Sequence, residues 1–127
     1  VAQRSKTVLV VDDDRDVRDS VAQLLQDAGY HVEQAADGRE ALKLLESMRP
    51  EPCLVLLDMM MPVMNGDEVL AALAESGRLA ALPVVICSGH ADRAHGVRRL
   101  LRKPVSADVL LRLVEEFCGD LGDPCRS

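Results

Sequence analysis

The chain has 127 residues, enough for one domain around one hydrophobic core. Apolar side chains make up 48%, which excludes a disordered chain, and fifteen basic against twenty-one acidic residues leave −6, which argues against an intrinsic nucleic-acid surface. The longest apolar stretches are strand-length, and no charged segment followed by an apolar one opens the chain, so neither a membrane span nor a signal peptide is expected. Tyr30 and Phe117 are the only aromatics, and the core must be aliphatic. Cys53, Cys87, Cys118 and Cys125 form no CxxC pair and no zinc spacing. They read as small hydrophobes in a reducing cytoplasm, with disulfides the lesser alternative.

In chain order, strand and helix patterns alternate five times. Thr7 to Asp12 is a first strand, built on Val8-Leu9-Val10-Val11. A helix from Arg15 to Ala28 follows, with Val17, Val21, Leu24, Leu25 and Ala28 on one face, and Gly29 suits its C-terminal end. Tyr30 to Ala35 is a short second strand. Asp37-x-x-Glu40 is a capping box that opens a helix to Met48, before Pro50 and Pro52. Cys53 to Asp58 is the third strand, and Asn65-x-x-Glu68 caps a helix carrying Val69, Leu70 and Leu73 to near Gly77. Pro83 to Ser88 is the fourth strand. Gly89 to Val97 is weak helix sequence with glycines near both ends, so a fourth helix is expected to be one turn or absent. A fifth strand lies around Arg99 to Arg102, and Ser106 caps a last helix whose stripe is Val109, Leu110, Leu113, Val114 and Phe117. The core spans about 7 to 118 of a single 1–127 domain, with a loose tail from Gly119 to Ser127.

This alternation specifies an α/β fold: a flavodoxin-like three-layer sandwich, with a five-stranded parallel sheet of order 2-1-3-4-5 and right-handed crossovers. Strands one, three, four and five then lie side by side. Their carboxyl ends, where ligands of such sheets bind, carry Asp12 and Asp13, Asp58, Ser88 and Lys103. Asp12-Asp13-Asp14 taken alone is equally a solvated loop and helix cap. Converging with Asp58, the carboxylates repel unless they hold protons or share a cation, and an all-oxygen donor set favours Mg²⁺ over zinc. An acidic metal site, a lone carboxylate, a hydroxyl and an ammonium in one crevice suit phosphoryl transfer onto Asp58, with Lys103 and Ser88 binding the phosphoryl oxygens.

The residues resemble the receiver domains of two-component response regulators, from about Thr7 to Cys118. Val-Leu-Val-Val-Asp-Asp-Asp is similar to the family's acid-pocket strand, which assigns metal binding to Asp12 and Asp13. Leu-Leu-Asp-Met-Met-Met-Pro-Val-Met-Asn-Gly resembles the phosphoacceptor segment, which makes Asp58 the phosphorylated residue and the Met60 backbone carbonyl a further metal ligand. Cys-Ser-Gly matches the strand-four hydroxyl at Ser88, and Lys103-Pro104 the family's lysine and the cis-prolyl bond after it. The resemblance implies a cytoplasmic protein that accepts a phosphoryl group from a sensor histidine kinase or a histidine phosphotransfer protein with Mg²⁺, and switches conformation. It implies no enzyme beyond self-phosphorylation and self-dephosphorylation, no nucleic-acid or membrane contact by this domain, and room for fusion to further domains. The alternatives are a degenerate receiver acting as a phosphorylation-independent interaction module, and a flavodoxin-like enzyme on a diffusible phosphate compound.

Two features depart from the family pattern. Ser88 and Lys103 are fifteen positions apart, a shorter interval than is usual, and Leu100 stands where switching members carry Tyr or Phe. The shortened segment resembles receivers at the C-terminus of hybrid histidine kinases. Among weaker candidates, His90 reads first as a surface histidine and second as a neighbour of the acyl phosphate. Arg98, Arg99 and Arg102 read first as solvated charge and second as a partner contact.

Overall fold

The computed structural model describes residues 6–48, 51–58, 63–78, 82–88, 99–102 and 106–119. The first strand, β1 (Thr7–Val11), leads through Asp12 to Asp14 into α1 (Arg15–Asp27). There follow β2 (His31–Ala35), α2 (Gly38–Ser47), β3 (Leu54–Asp58), α3 (Gly66–Glu75), β4 (Val84–Ser88), β5 (Arg99–Arg102) and α4 (Ala107–Cys118). The five strands form one parallel sheet of order β2-β1-β3-β4-β5. The expected elements are therefore present to within about a residue at each end. The expected short helix between β4 and β5 lies outside the described residues.

Strand side chains alternate between two faces, and each face has its own aliphatic core. Leu9, Val11, Val55, Leu57, Val84 and Ile86 meet α2 and α3 on one side. Val8, Val10, Leu54, Leu56 and Val85 meet α1 and α4 on the other. Burial on both faces explains why β1 and β3 are continuous apolar runs rather than alternating ones. Gly38 opens α2 where it meets the start of α3: a Cβ there would lie 2.7 Å from the Met64 carbonyl oxygen and collide with Val69. The glycine is what lets the two segments close up.

Helix ends follow the side chains that cap them. Asp14 accepts from the backbone N–H groups of Asp16 and Val17, and Ser106 accepts from Val109. The α3 capping box is complete, with Asn65 and Glu68 bonding reciprocally. The one expected at α2 is not. Asp37 accepts from the Glu40 N–H, but the Glu40 carboxylate accepts from Ala36, one residue earlier. Gly29 and Gly77 take the left-handed conformation at φ 101° and 77°.

Three further expectations are corrected. In α4, Val109 is 46% exposed and Cys118 joins Leu110, Leu113 and Val114 in the buried stripe. The sheet contacts the helix on the 110/113/114 rows, which turns position 109 outward. In α1 the buried residues are Ala22 and Leu25, while Val17 is 38% exposed and Ala28 is exposed. Cys53 and Cys118 are not separate small hydrophobes but are joined as a disulfide, with Cα atoms 5.3 Å apart. Helix α4 runs back along the sheet and delivers its last residue to the start of β3, a proximity that a separation of 65 residues conceals. Cys87 is partly buried and takes no part in that disulfide, and Cys125 lies outside the described residues. Around the same end of α4, Lys6 Nζ donates to the Cys118 carbonyl, and the Tyr30 hydroxyl donates to the Gly119 carbonyl at 2.8 Å. Gly119 is thus held against the body, while the remainder of the expected tail lies outside the described residues.

Candidate acidic phosphoacceptor site

Strand register builds the site. Val11 pairs with Leu57, so the residues that follow, Asp12 and Asp58, leave the sheet side by side at its carboxyl end. Asp58 pairs in turn with Cys87, and Ser88 with Arg102. The carboxylate oxygens of Asp12, Asp13 and Asp58 converge to within 4.8 Å of one another. Asp12 and Asp58 are 5% and 6% exposed, and they are the buried charged residues among those described, whereas Asp13 faces solvent.

Local geometry holds this group open toward the mouth of the sheet. The Asp12 N–H donates to the Ala35 carbonyl at 3.1 Å, extending the β1–β2 pairing by one residue. Asp12 Oδ1 accepts from the Asp14 N–H at 2.9 Å, and Asp14 then caps α1. Consecutive aspartates thereby have different work: Asp12 and Asp13 belong to the cluster, and Asp14 to the helix. Beside them a half-open pocket of about 630 Å³ lies at the junction of α1, α4 and the sheet. Among the described residues it is lined by Val10, Val17, Val21, Leu56, Cys87 and Leu110, with Asp12 and Asp58 at its acidic end.

Two like-charged carboxylates this deep cost free energy unless a proton or cation offsets them. A divalent cation fits the donor set, which is oxygen-only, dense in charge and partly open to solvent. Zinc-type nitrogen or sulfur donors are absent from the cluster.

The structure thus brings together Asp12, Asp13 and Asp58 of the expected site. It places the backbone of Ser88 at the same end of the sheet. Lys103, Pro104, Met60 and His90 lie outside the described residues. Arg18, which the sequence reading passed over, proves to touch the acidic loop. Its Nη1 donates to the Asp12 carbonyl at 2.7 Å and its Nε to Gln34 Oε1 at 3.2 Å. Its position, one turn into a helix that opens directly after the aspartates, was the available signal.

Comparisons with known proteins agree with this geometry. The family model for the response regulator receiver domain matches residues 8–115. The chain is 41% identical to the response regulator MprA of Mycolicibacterium vanbaalenii over 82% of its own length, and spans 46% of that longer protein. It is 38% identical to an uncharacterized 14.6 kDa protein of Leptolyngbya boryana, covering 87% of this chain and 88% of that one. Among solved structures, the chemotaxis protein CheY4 of Vibrio cholerae superimposes with a TM-score of 0.79 at 33% identity, over 91% of this chain and 99% of that one. The response regulator TrrA of Thermotoga maritima, solved in complex with Mg²⁺ and BeF, gives 0.76 at 27% identity, over 87% and 97%. Sheet order, acidic cluster and family match coincide, and the chain belongs to the response regulator receiver domains, the phosphoacceptor modules of two-component signalling.

Proposed function

We propose that Asp58 is the phosphoacceptor and that Asp12, Asp13 and Asp58, with the Met60 backbone carbonyl, hold Mg²⁺. The observation that carries this reading is the convergence of three carboxylates at the ends of β1 and β3. The ion supplies positive charge that offsets the repulsion between the Asp58 carboxylate and an incoming phosphoryl group. An Asp58 oxygen attacks phosphorus, the P–N bond to the donor imidazole breaks, the imidazole leaves with a proton, and an acyl phosphate remains on Asp58. By resemblance to the family, the Lys103 ammonium and the Ser88 hydroxyl bind the phosphoryl oxygens and carry the change to β5 and β4.

The donor in this reading is a sensor histidine kinase or a histidine phosphotransfer protein, approaching beside α1, where Val17 offers exposed apolar surface near the mouth. The protein works in the cytoplasm. In this reading the chemistry of the domain is its own phosphorylation and dephosphorylation. No helix among the described residues is long and apolar enough to cross a membrane.

The test is direct labelling. With Mg²⁺ and acetyl phosphate the chain should gain one hydroxylamine-labile phosphoryl group, and Asp58→Asn, nearly isosteric, should abolish it while leaving the circular dichroism unchanged. Undiminished labelling of the Asn variant would refute the assignment.

A further inference from the structure

Arg18 joins three elements on one side chain: it stands in the first turns of α1, its Nη1 reaches the Asp12 carbonyl after β1, and its Nε reaches Gln34 in β2. The Asp12 carbonyl belongs to the peptide that links Asp12 to Asp13. That peptide is a rigid plane, so fixing its oxygen fixes the direction in which the Asp13 Cα departs. Asp13 is exposed, and the backbone rather than a packing shell sets where its carboxylate sits. Asp12 has its own restraints, through the Asp14 N–H at its carboxylate and the Ala35 carbonyl at its N–H.

We propose that Arg18 is a positioning residue for the acidic site, clamping the Asp12–Asp13 peptide so that Asp13 stays with Asp12 and Asp58 without itself touching ion or phosphoryl group. The proposal rests on the metal-binding reading above. A planar guanidinium suits the task because two of its donors can serve two acceptors at fixed angles, and Gln34 orients the plane. Groups that hold a ligand from behind are worth about 10-fold or more in metal affinity when removed.

A cation beside a divalent-ion site also has an opposing effect, and the two can be separated. If charge were the whole contribution, Arg18→Gln would bind Mg²⁺ more tightly and Arg18→Lys would match wild type. If the clamp dominates, both variants should bind Mg²⁺ about 10-fold more weakly, since neither keeps the fork. Saturating Mg²⁺ should then restore most of the acetyl phosphate labelling rate. The experiment is Mg²⁺ titration of the full chain followed by backbone amide shifts, for wild type, Arg18→Lys, Arg18→Gln and Gln34→Ala. The last should show a smaller loss in the same direction. Wild-type affinity in Arg18→Lys, or tighter binding in Arg18→Gln, would overturn the clamp. The metal-free protein supplies an independent reading. Arg18→Lys should speed hydrogen exchange at the Asp14 amide, which the intact loop directs at Asp12 Oδ1, and unchanged exchange there would also overturn the proposal. Failure of wild type to bind Mg²⁺ would instead count against the metal reading, and leaves the exchange result to decide the clamp.

Discussion

Val63 carries a backbone conformation that its side chain disfavours. Its φ is 67°, in the left-handed region, where a β-branched residue crowds its own backbone at a cost of about 1–2 kcal/mol. The side chain is 68% exposed, so little packing compensates. Glycine would relieve the crowding but would add freedom to the unfolded chain, whereas asparagine tolerates the left-handed region with less of that loss. Val63→Asn should therefore raise stability by about 1 kcal/mol, read as a higher urea midpoint at unchanged slope; an unchanged or lower midpoint would show that the strain is not relieved. The residue follows β3, between Asp58 and the Asn65 cap, and the valine keeps stored strain at that position.

At the scale of elements, the two related caps differ in a testable way. Asn65 and Glu68 satisfy one another's backbone donors, while Glu40 passes over Asp37 to reach Ala36. Asn65→Ala should lose about 1 kcal/mol, from the cap itself. The same change should speed hydrogen exchange at the Glu68 amide, which donates to Asn65 Oδ1; unchanged exchange there would show that the cap contributes nothing. What the sequence revealed about these elements follows from how local each signal is. Apolar runs, period and cap residues lie within a few positions of one another, and the strands, the helices and the convergence of Asp12, Asp13 and Asp58 were legible from them. The outward turn of Val109 was not, since the helical stripe is wide enough to admit two faces and only the sheet chooses between them. Glu40's reach to Ala36 was not legible either, since a Glu at that position suits either backbone donor. Arg18 escaped notice because its acceptors are a backbone carbonyl and a residue on another strand.

For the whole molecule the Cys53–Cys118 bond is the feature least visible beforehand, since it relates two residues 65 apart that only the finished sandwich brings together. Closing a loop of that size restricts the unfolded chain by about 4 kcal/mol. Reduction, or Cys118→Ser, should accordingly lower Tm by about 15 °C, and Cys87→Ser, outside the bond, should lower it far less. Equal Tm values for the reduced and untreated protein, with thiol titration confirming the two states, would show that the bond adds no stability. The acidic site lies at the opposite end of the strands from this bond, so the cross-link braces the body without reaching the chemistry.

That brace also governs how the molecule would yield to force. Lys6, at the entry to β1, is bonded to the last residue of α4, so the two leads of the described body emerge together at the pole away from Asp58. Tension applied through those leads peels the body open from one end rather than sliding strands past one another. With the bond intact, peeling halts at Cys53 and Cys118, and the segment between them carries no load. At about 3.4 Å per extended residue, some 220 Å of contour stays hidden until the sulfurs part. The hidden segment includes Asp58 and all of β3, β4 and β5, so that side of the acidic cluster is shielded from mechanical traction while β1, with Asp12 and Asp13, is not.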